Sequence, residues 1–166
     1  REINMTIVIK LLFFISGFII FWAMIGYPYS MKIIEKVYNG QELKKDYSLQ
    51  PTVTVMVVAH NEEKVIRNTL NNLVNLDYPN DKMKFLIVSD NSTDKTNKYV
   101  KEFIEKHKDF HIRLYEVKER KGKTNAQNEG HKLVDTEFLV MTDANSIFDK
   151  RAIKELMSVF TSREIA

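Results

Sequence analysis

Two aspartates, Asp90 in "VSDNSTD" and Asp143 in "VMTDANS", each close a run of apolar residues, and the basic stretch "ERKGKTNAQNEG" (Glu119 to Gly130) lies between them. A carboxylate so placed can accept hydrogen bonds from a base or a ribose. It can also share a divalent cation with other oxygen ligands, a donor set that suits Mg2+ or Mn2+. Arg120, Lys121 and Lys123 bring cations that suit phosphate groups. An earlier polar cluster, "AHNEE" from Ala59 to Glu63, follows another apolar run. Each cluster alone has a plain structural explanation: a Ser-Asp-Asn-Ser-Thr-Asp run makes turns and helix caps, "RKGK" is a solvated loop, and Glu62 and Glu63 complement a helix dipole. Their joint placement matters only if the fold brings them to one edge.

The elements that must carry them are legible. "TVTVMVVA" (Thr52 to Ala59) follows Pro51 and reads as a strand buried on both faces; "KFLIVSD" (Lys84 to Asp90), "HIRLYEV" (His111 to Val117) and "EFLVMT" (Glu137 to Thr142) read as three more. Helical spacing lies between them. Val65, Ile66, Leu70, Leu73 and Val74 form one stripe, and Tyr99, Val100, Phe103, Ile104 and His107 another, with Thr93 and Asp94 placed to cap it. Further helices are expected from about Lys123 to Leu133 and around Ile153, Leu156, Met157 and Phe160. Strands alternating with helices predict right-handed βαβ units and a mostly parallel α/β sheet over residues 51–166. Ligands of such sheets sit outside the carboxyl ends of the strands, where all these polar clusters fall.

Residues 1–30 have a different character. "LLFFISGFIIFWAMIGYPY" (Leu11 to Tyr29) runs for 19 residues without a charge and is apolar on every face, which fits a retained transmembrane helix rather than a cleaved signal peptide. Lys32, Lys36, Lys44 and Lys45 follow it, so the positive-inside tendency puts the C-terminal side in the cytoplasm, with the protein at the cell membrane. Residues 31–50 read as a juxtamembrane linker or amphipathic helix, broken at Asn39-Gly40. The start at Arg1 and the stop at Ala166 lead us to expect a piece of a longer protein.

Several classes drop out on composition and motif. A net charge of +3 with interspersed acids gives no case for nucleic acid, and a chain with no cysteine has neither disulfides nor thiolate metal sites. His60, His107, His111 and His131 have no zinc-like spacing, and neither a G-x-G-x-x-G nor a Walker sequence occurs. A phosphoacceptor receiver could use Asp90, but His60 and Asn61 stand where its acidic pair belongs.

On "VVAHNEE", "VSDNSTDKT", "RKGKTNAQNEG" and "VMTDANS", the last in the place of a DxD motif, residues 50 to 160 or so resemble an inverting family 2 glycosyltransferase of the GT-A, Rossmann-like fold, in particular its membrane-anchored bacterial members. The resemblance implies transfer of a sugar from a nucleotide-diphosphate donor, usually a UDP-sugar, to the hydroxyl of a glycan or lipid-linked acceptor in envelope or extracellular polysaccharide synthesis. It places Ala59, Asn61 and Glu62 around the base and ribose, Asp90 on the uracil ring, and Lys123 and Asn128 on the nucleotide and diphosphate. It makes Asp143 the first DxD carboxylate and puts Asn145 in place of the second, with both as ligands of Mg2+ or Mn2+. An amide oxygen can ligate a hard cation but adds no charge, so metal affinity should be weaker than for two carboxylates. The family's general base lies downstream of this motif. Asp149 and Glu155 follow it too closely to serve and are expected to cap or solvate a helix. The fragment is therefore expected to be inactive alone, and the competing reading is a non-catalytic nucleotide-binding or scaffold module.

Overall fold

A computed structural model of the chain describes residues 5–37 and 45–160, in two compact units that divide between residues 43 and 44. The first unit is one helical run: α1 (Met5–Phe21), a π turn (Trp22–Gly26) and α2 (Tyr27–Val37), with no buried side chain. Pro28 explains the π turn. Its ring crowds the carbonyl of Met24 and it has no N–H to give, and the helix widens just before it, where the Tyr27 N–H reaches back to the Trp22 carbonyl. The run of 33 residues is long and apolar enough to cross a membrane. It continues past residue 30, so the expected linker begins as helix, while Asn39-Gly40 lies outside the described residues.

The second unit holds a four-stranded, wholly parallel sheet of β1 (Val53–Ala59), β2 (Met83–Ser89), β3 (His111–Glu116) and β4 (Phe138–Asp143), ordered β3-β2-β1-β4. Each strand lies within a residue or so of its expected span. Four helices alternate with them: α3 (Ile66–Val74), α4 (Thr96–Lys106), α5 (Lys123–His131) and α6 (Ala152–Met157). Leu156, expected on the buried stripe of α6, is instead exposed, because the helix is only six residues long and seats Ile153 and Met157 alone.

The strand order locates the site. From β1 to β3 the chain steps one way; from β3 it returns past β2 and β1 to lay β4 on the far side. Right-handed crossovers run in opposite directions must use opposite faces. Accordingly Ile66 and Leu70 of α3 and Val100 and Phe103 of α4 pack with Val55 and Phe85 on one face, and Ala126 of α5 packs with Met56 and Val88 on the other. A Cβ at Gly130 would stand 2.5 Å from Met56 Sδ and 2.6 Å from Val88 Cγ2, so glycine is what lets α5 lie this close. The reversal opens a crevice between the carboxyl ends of β1 and β4, where Val58 pairs with Asp143.

Candidate functional site

A cavity of about 270 Å³ occupies that crevice, and four segments meet there: His60 and Glu62 after β1, Asp90 after β2, Arg120, Gly122 and Lys123 at the start of α5, and Asp143 to Asn145 at the end of β4. The polar clusters that are scattered in sequence thus share one pocket. Larger cavities exist elsewhere, of which the one around Lys84, His111 and Asp135 measures about 370 Å³. Size does not make it the site. It lies at the opposite ends of the strands from the switch point, and Lys84 and Asp135 neutralise each other across 2.8 Å.

The corner between β1 and β2 is tightly tied. Asp90 donates its N–H to the Ala59 carbonyl at 2.9 Å, and its own carbonyl lies 2.7 Å from His60 Nδ1. A carbonyl only accepts, so His60 Nδ1 is the donor in this contact. Asn61 takes the Thr93 N–H on Oδ1 at 2.8 Å and gives its own N–H to Ser92 Oγ at 3.1 Å. It does so at φ 57°, and Asn91 turns the next loop at φ 52°, left-handed conformations that asparagine tolerates better than most residues. The Glu62 N–H reaches Thr96 Oγ1 at 2.8 Å. Asp94 accepts the Thr96 N–H on one oxygen and the Glu63 N–H on the other, at 2.9 and 3.0 Å. Burial pushes the Asp94 carboxyl up, but these bonds outweigh it and hold it below its ordinary value.

All this binding fixes the backbone of Asp90 and leaves its side chain over. The residue is 3% exposed, and Oδ1 has no hydrogen-bond partner. A buried carboxylate oxygen without a donor is costly, and Asp90 is a lining residue of the cavity.

The opposite corner differs. Gly122, at φ 89° with open space where a Cβ would be, turns the chain into α5, so its conformation and not crowding demands glycine. Lys123 opens the helix and its Nζ pairs with Asp143 Oδ1 at 2.5 Å, both side chains more than half exposed. Two polar residues of α3 hold the loop after β4. The Thr69 hydroxyl donates to the Ala144 carbonyl, and Asn72 exchanges hydrogen bonds with the backbone of Phe148 at 2.8 and 2.9 Å. The loop is thereby pinned at Ala144 and Phe148 while Asp143 and Asn145 stay exposed on the cavity wall.

Of the residues expected at the site, Glu62, Asp90, Lys123, Asp143 and Asn145 line the cavity. Ala59 does not: it is buried and contributes only its carbonyl, to Asp90. Asn61 spends its side chain on the neighbouring loop, and Asn128 is an exposed residue of α5 away from the lining. Arg120 joins the lining, whereas Lys121 pairs with Glu119 at 3.3 Å and turns to another cavity. His60, Thr69 and Asn72 were not anticipated. His60 had a signal, as the polar residue next to the end of β1; Thr69 and Asn72 only interrupt an apolar stripe. Asp149 accepts the Arg151 N–H in the turn that leads into α6, without capping the helix itself, and Glu155 binds Lys45, Tyr47 and Arg151, so both have structural roles.

Among the described residues no group of three or more His, Cys, Asp or Glu side chains could hold a metal ion. Asp143 and Asn145 nevertheless offer a carboxylate and an amide oxygen on one wall. They fit the protein's share of a hard-cation site whose remaining ligands are phosphate oxygens and water.

Comparison with known proteins agrees with this geometry. "Probable glycosyltransferase YdaM" of Bacillus subtilis is 36% identical over 158 residues, covering 88% of this chain and 36% of the relative. Poly-beta-1,6-N-acetyl-D-glucosamine synthase of Staphylococcus epidermidis is 30% identical over 143 residues, covering 86% and 33%. The chain spans about a third of the length of these curated relatives. Among solved structures, the mannosyltransferase PcManGT of Pyrobaculum calidifontis, in complex with GDP-Man and Mn2+, superposes with a TM-score of 0.78 at 29% identity over 86% of this chain and 42% of its own. Residues 1–349 of S. aureus TarS, in complex with UDP-GlcNAc, superpose with a TM-score of 0.57 at 25% identity over 63% and 30%. The parallel sheet with helices on both faces is the GT-A fold of these transferases. The family model "Glycosyl transferase family 2" matches residues 54–165, and with the crevice, its carboxylates and its basic turn in place, the chain belongs to that family.

Proposed function

We propose that this chain is the membrane-anchored, donor-binding part of an inverting glycosyltransferase that takes a UDP-sugar and serves a glycan or lipid-linked acceptor in envelope or extracellular polysaccharide synthesis. The observation that carries it is Asp90, a buried carboxylate with a free Oδ1 on the wall of the switch-point cavity. The imide N–H of uracil is a donor of the kind that oxygen lacks. Its fixed backbone means the acceptor is in place before the base arrives.

The other residues divide the rest of the donor. Glu62 can accept from ribose hydroxyls, and Arg120 and Lys123 supply positive charge for the diphosphate. Asp143 and Asn145 would hold Mg2+ or Mn2+, which when bound neutralises charge on the departing diphosphate. PcManGT with its GDP-Man and Mn2+, TarS with its UDP-GlcNAc, and the polysaccharide synthase among the relatives support this division. The apolar helical run Met5–Val37 would anchor the chain, and the lysines after it favour a cytoplasmic donor site. The base that deprotonates the acceptor would come from outside the residues lining this cavity.

Calorimetric titration of the whole chain in detergent with UDP and with GDP, each with and without Mn2+, tests the reading. We expect metal-dependent binding of UDP that Asp90→Ala and Asp143→Ala both abolish. Folded protein indifferent to both nucleotides would sink it, and preference for GDP would correct the donor.

A further inference from the structure

The Lys123–Asp143 ion pair stands between two cavities. Both residues line the switch-point cavity and also a neighbouring, polar one of about 340 Å³ that includes Gln127, Thr142 and Ser146. At 2.5 Å, the ammonium occupies Asp143 Oδ1, on the only carboxylate of the pair of side chains fitted to a cation. Asn145 brings no charge that would make up for the loss. A dication approaching Asp143 therefore meets a resident positive charge, and a diphosphate approaching Lys123 meets a resident negative one.

We propose that Lys123 is a counter-ion latch on Asp143 which metal and diphosphate open together, so that each binds poorly without the other. The inference rests on the nucleotide-sugar reading of the site and adds to it a coupling between ligands. Breaking the pair is a common cost: cation alone must expel Lys123, diphosphate alone must pull it from Asp143, and the two together incur that cost once. Once the pair is open, the ammonium has phosphate oxygens to move to and the carboxylate has the cation. With the partition removed, a ligand's diphosphate can lie across the boundary between the two cavities.

Removing the ammonium should separate these effects with opposite signs. We would measure Mn2+ binding by electron paramagnetic resonance, and UDP binding by calorimetry with and without Mn2+, on the whole chain in detergent as wild type, Lys123→Met and Lys123→Arg. Lys123→Met should bind Mn2+ alone about tenfold more tightly, the repulsion a dication and a single positive charge about 5 Å apart would exert through water. The same variant should bind UDP alone several-fold more weakly, and the factor by which Mn2+ improves UDP binding should shrink. Lys123→Arg keeps the charge and should restore the wild-type pattern. Because Lys123 is exposed at a helix end, melting curves should show all three proteins equally folded. If wild type binds UDP with Mn2+ but Lys123→Met gains no Mn2+ affinity, the latch is wrong and the donor-site reading stands. If folded wild type binds no nucleotide with Mn2+, the donor-site reading fails and the latch with it.

Discussion

Two aspartates face one cavity in opposite conditions. Asp90 is buried, backbone-locked, and has an oxygen without a partner; Asp143 is half exposed and already paired with Lys123. The corner between β1 and β2 is built in advance, by Asn61, Glu62, Glu63 and Asp94 crossing to the other loop. The corner between β4 and α5 is pinned in its backbone but leaves its charges in solvent, where they can exchange partners. A neutral, planar donor group is best met by a preformed, desolvated acceptor. A metal-diphosphate, which arrives hydrated and multiply charged, is best met by groups that can reorganise.

The sharpest way to break this comparison is Asp90→Asn. Loss of a hydrogen bond to a charged acceptor, about 1.5–3 kcal/mol, should weaken UDP binding tenfold to a hundredfold in calorimetry. The melting temperature should hold, since the charge removed had no partner at Oδ1. A large fall in stability would mean that the carboxylate has a structural role.

Next in size is Gly130→Val, which forces a branched side chain against Met56 and Val88. Overpacking of this kind costs about 1–3 kcal/mol. It should lower the melting temperature and displace α5, which carries Lys123 at its first residue, so metal-dependent binding should suffer while Asp90 keeps its setting.

Asp94→Ala removes an acceptor for two backbone N–H groups and should destabilise the fold by about 1–2 kcal/mol in urea denaturation. The pH dependence follows from the direction of its shift. Its carboxyl is depressed in the folded state, so its contribution is full above the unfolded value of about 4 and is lost as pH falls through the lower folded value. Wild type should lose this increment on acidification below pH 4 or so, and Asp94→Ala should show a shallower decline.

The smallest effect belongs to the exposed corner. Lys123→Met should change folding stability by less than about 1 kcal/mol, because surface ion pairs contribute little. Equal melting temperatures alongside altered ligand binding would confirm that the two corners are built for different purposes.

The sequence by itself determined the strands, the helices and the polar clusters at the strand ends. Continuous β-branched runs such as "TVTVMVV" have no other stable use than a strand covered on both faces, and the uncharged run from Leu11 to Tyr29 is set apart by composition alone. That Asp90, Lys123, Asp143 and Asn145 would meet at one edge of the sheet was legible from their types and their places at the strand ends. What each does was decided in three dimensions. The sequence did not show that Asp90 is buried and Asp143 exposed and paired, since burial and pairing depend on which elements pack above each strand end. Asn61 and Ala59 looked like lining residues, and only the distance between the β1 and β2 loops turned them into ties. Thr69 and Asn72 hold a loop 75 and 76 residues away, a pairing set by packing of α3 beside the end of β4. Local pattern fixes what a segment becomes; partners distant in sequence are chosen by the strand order, and here that order made the crevice.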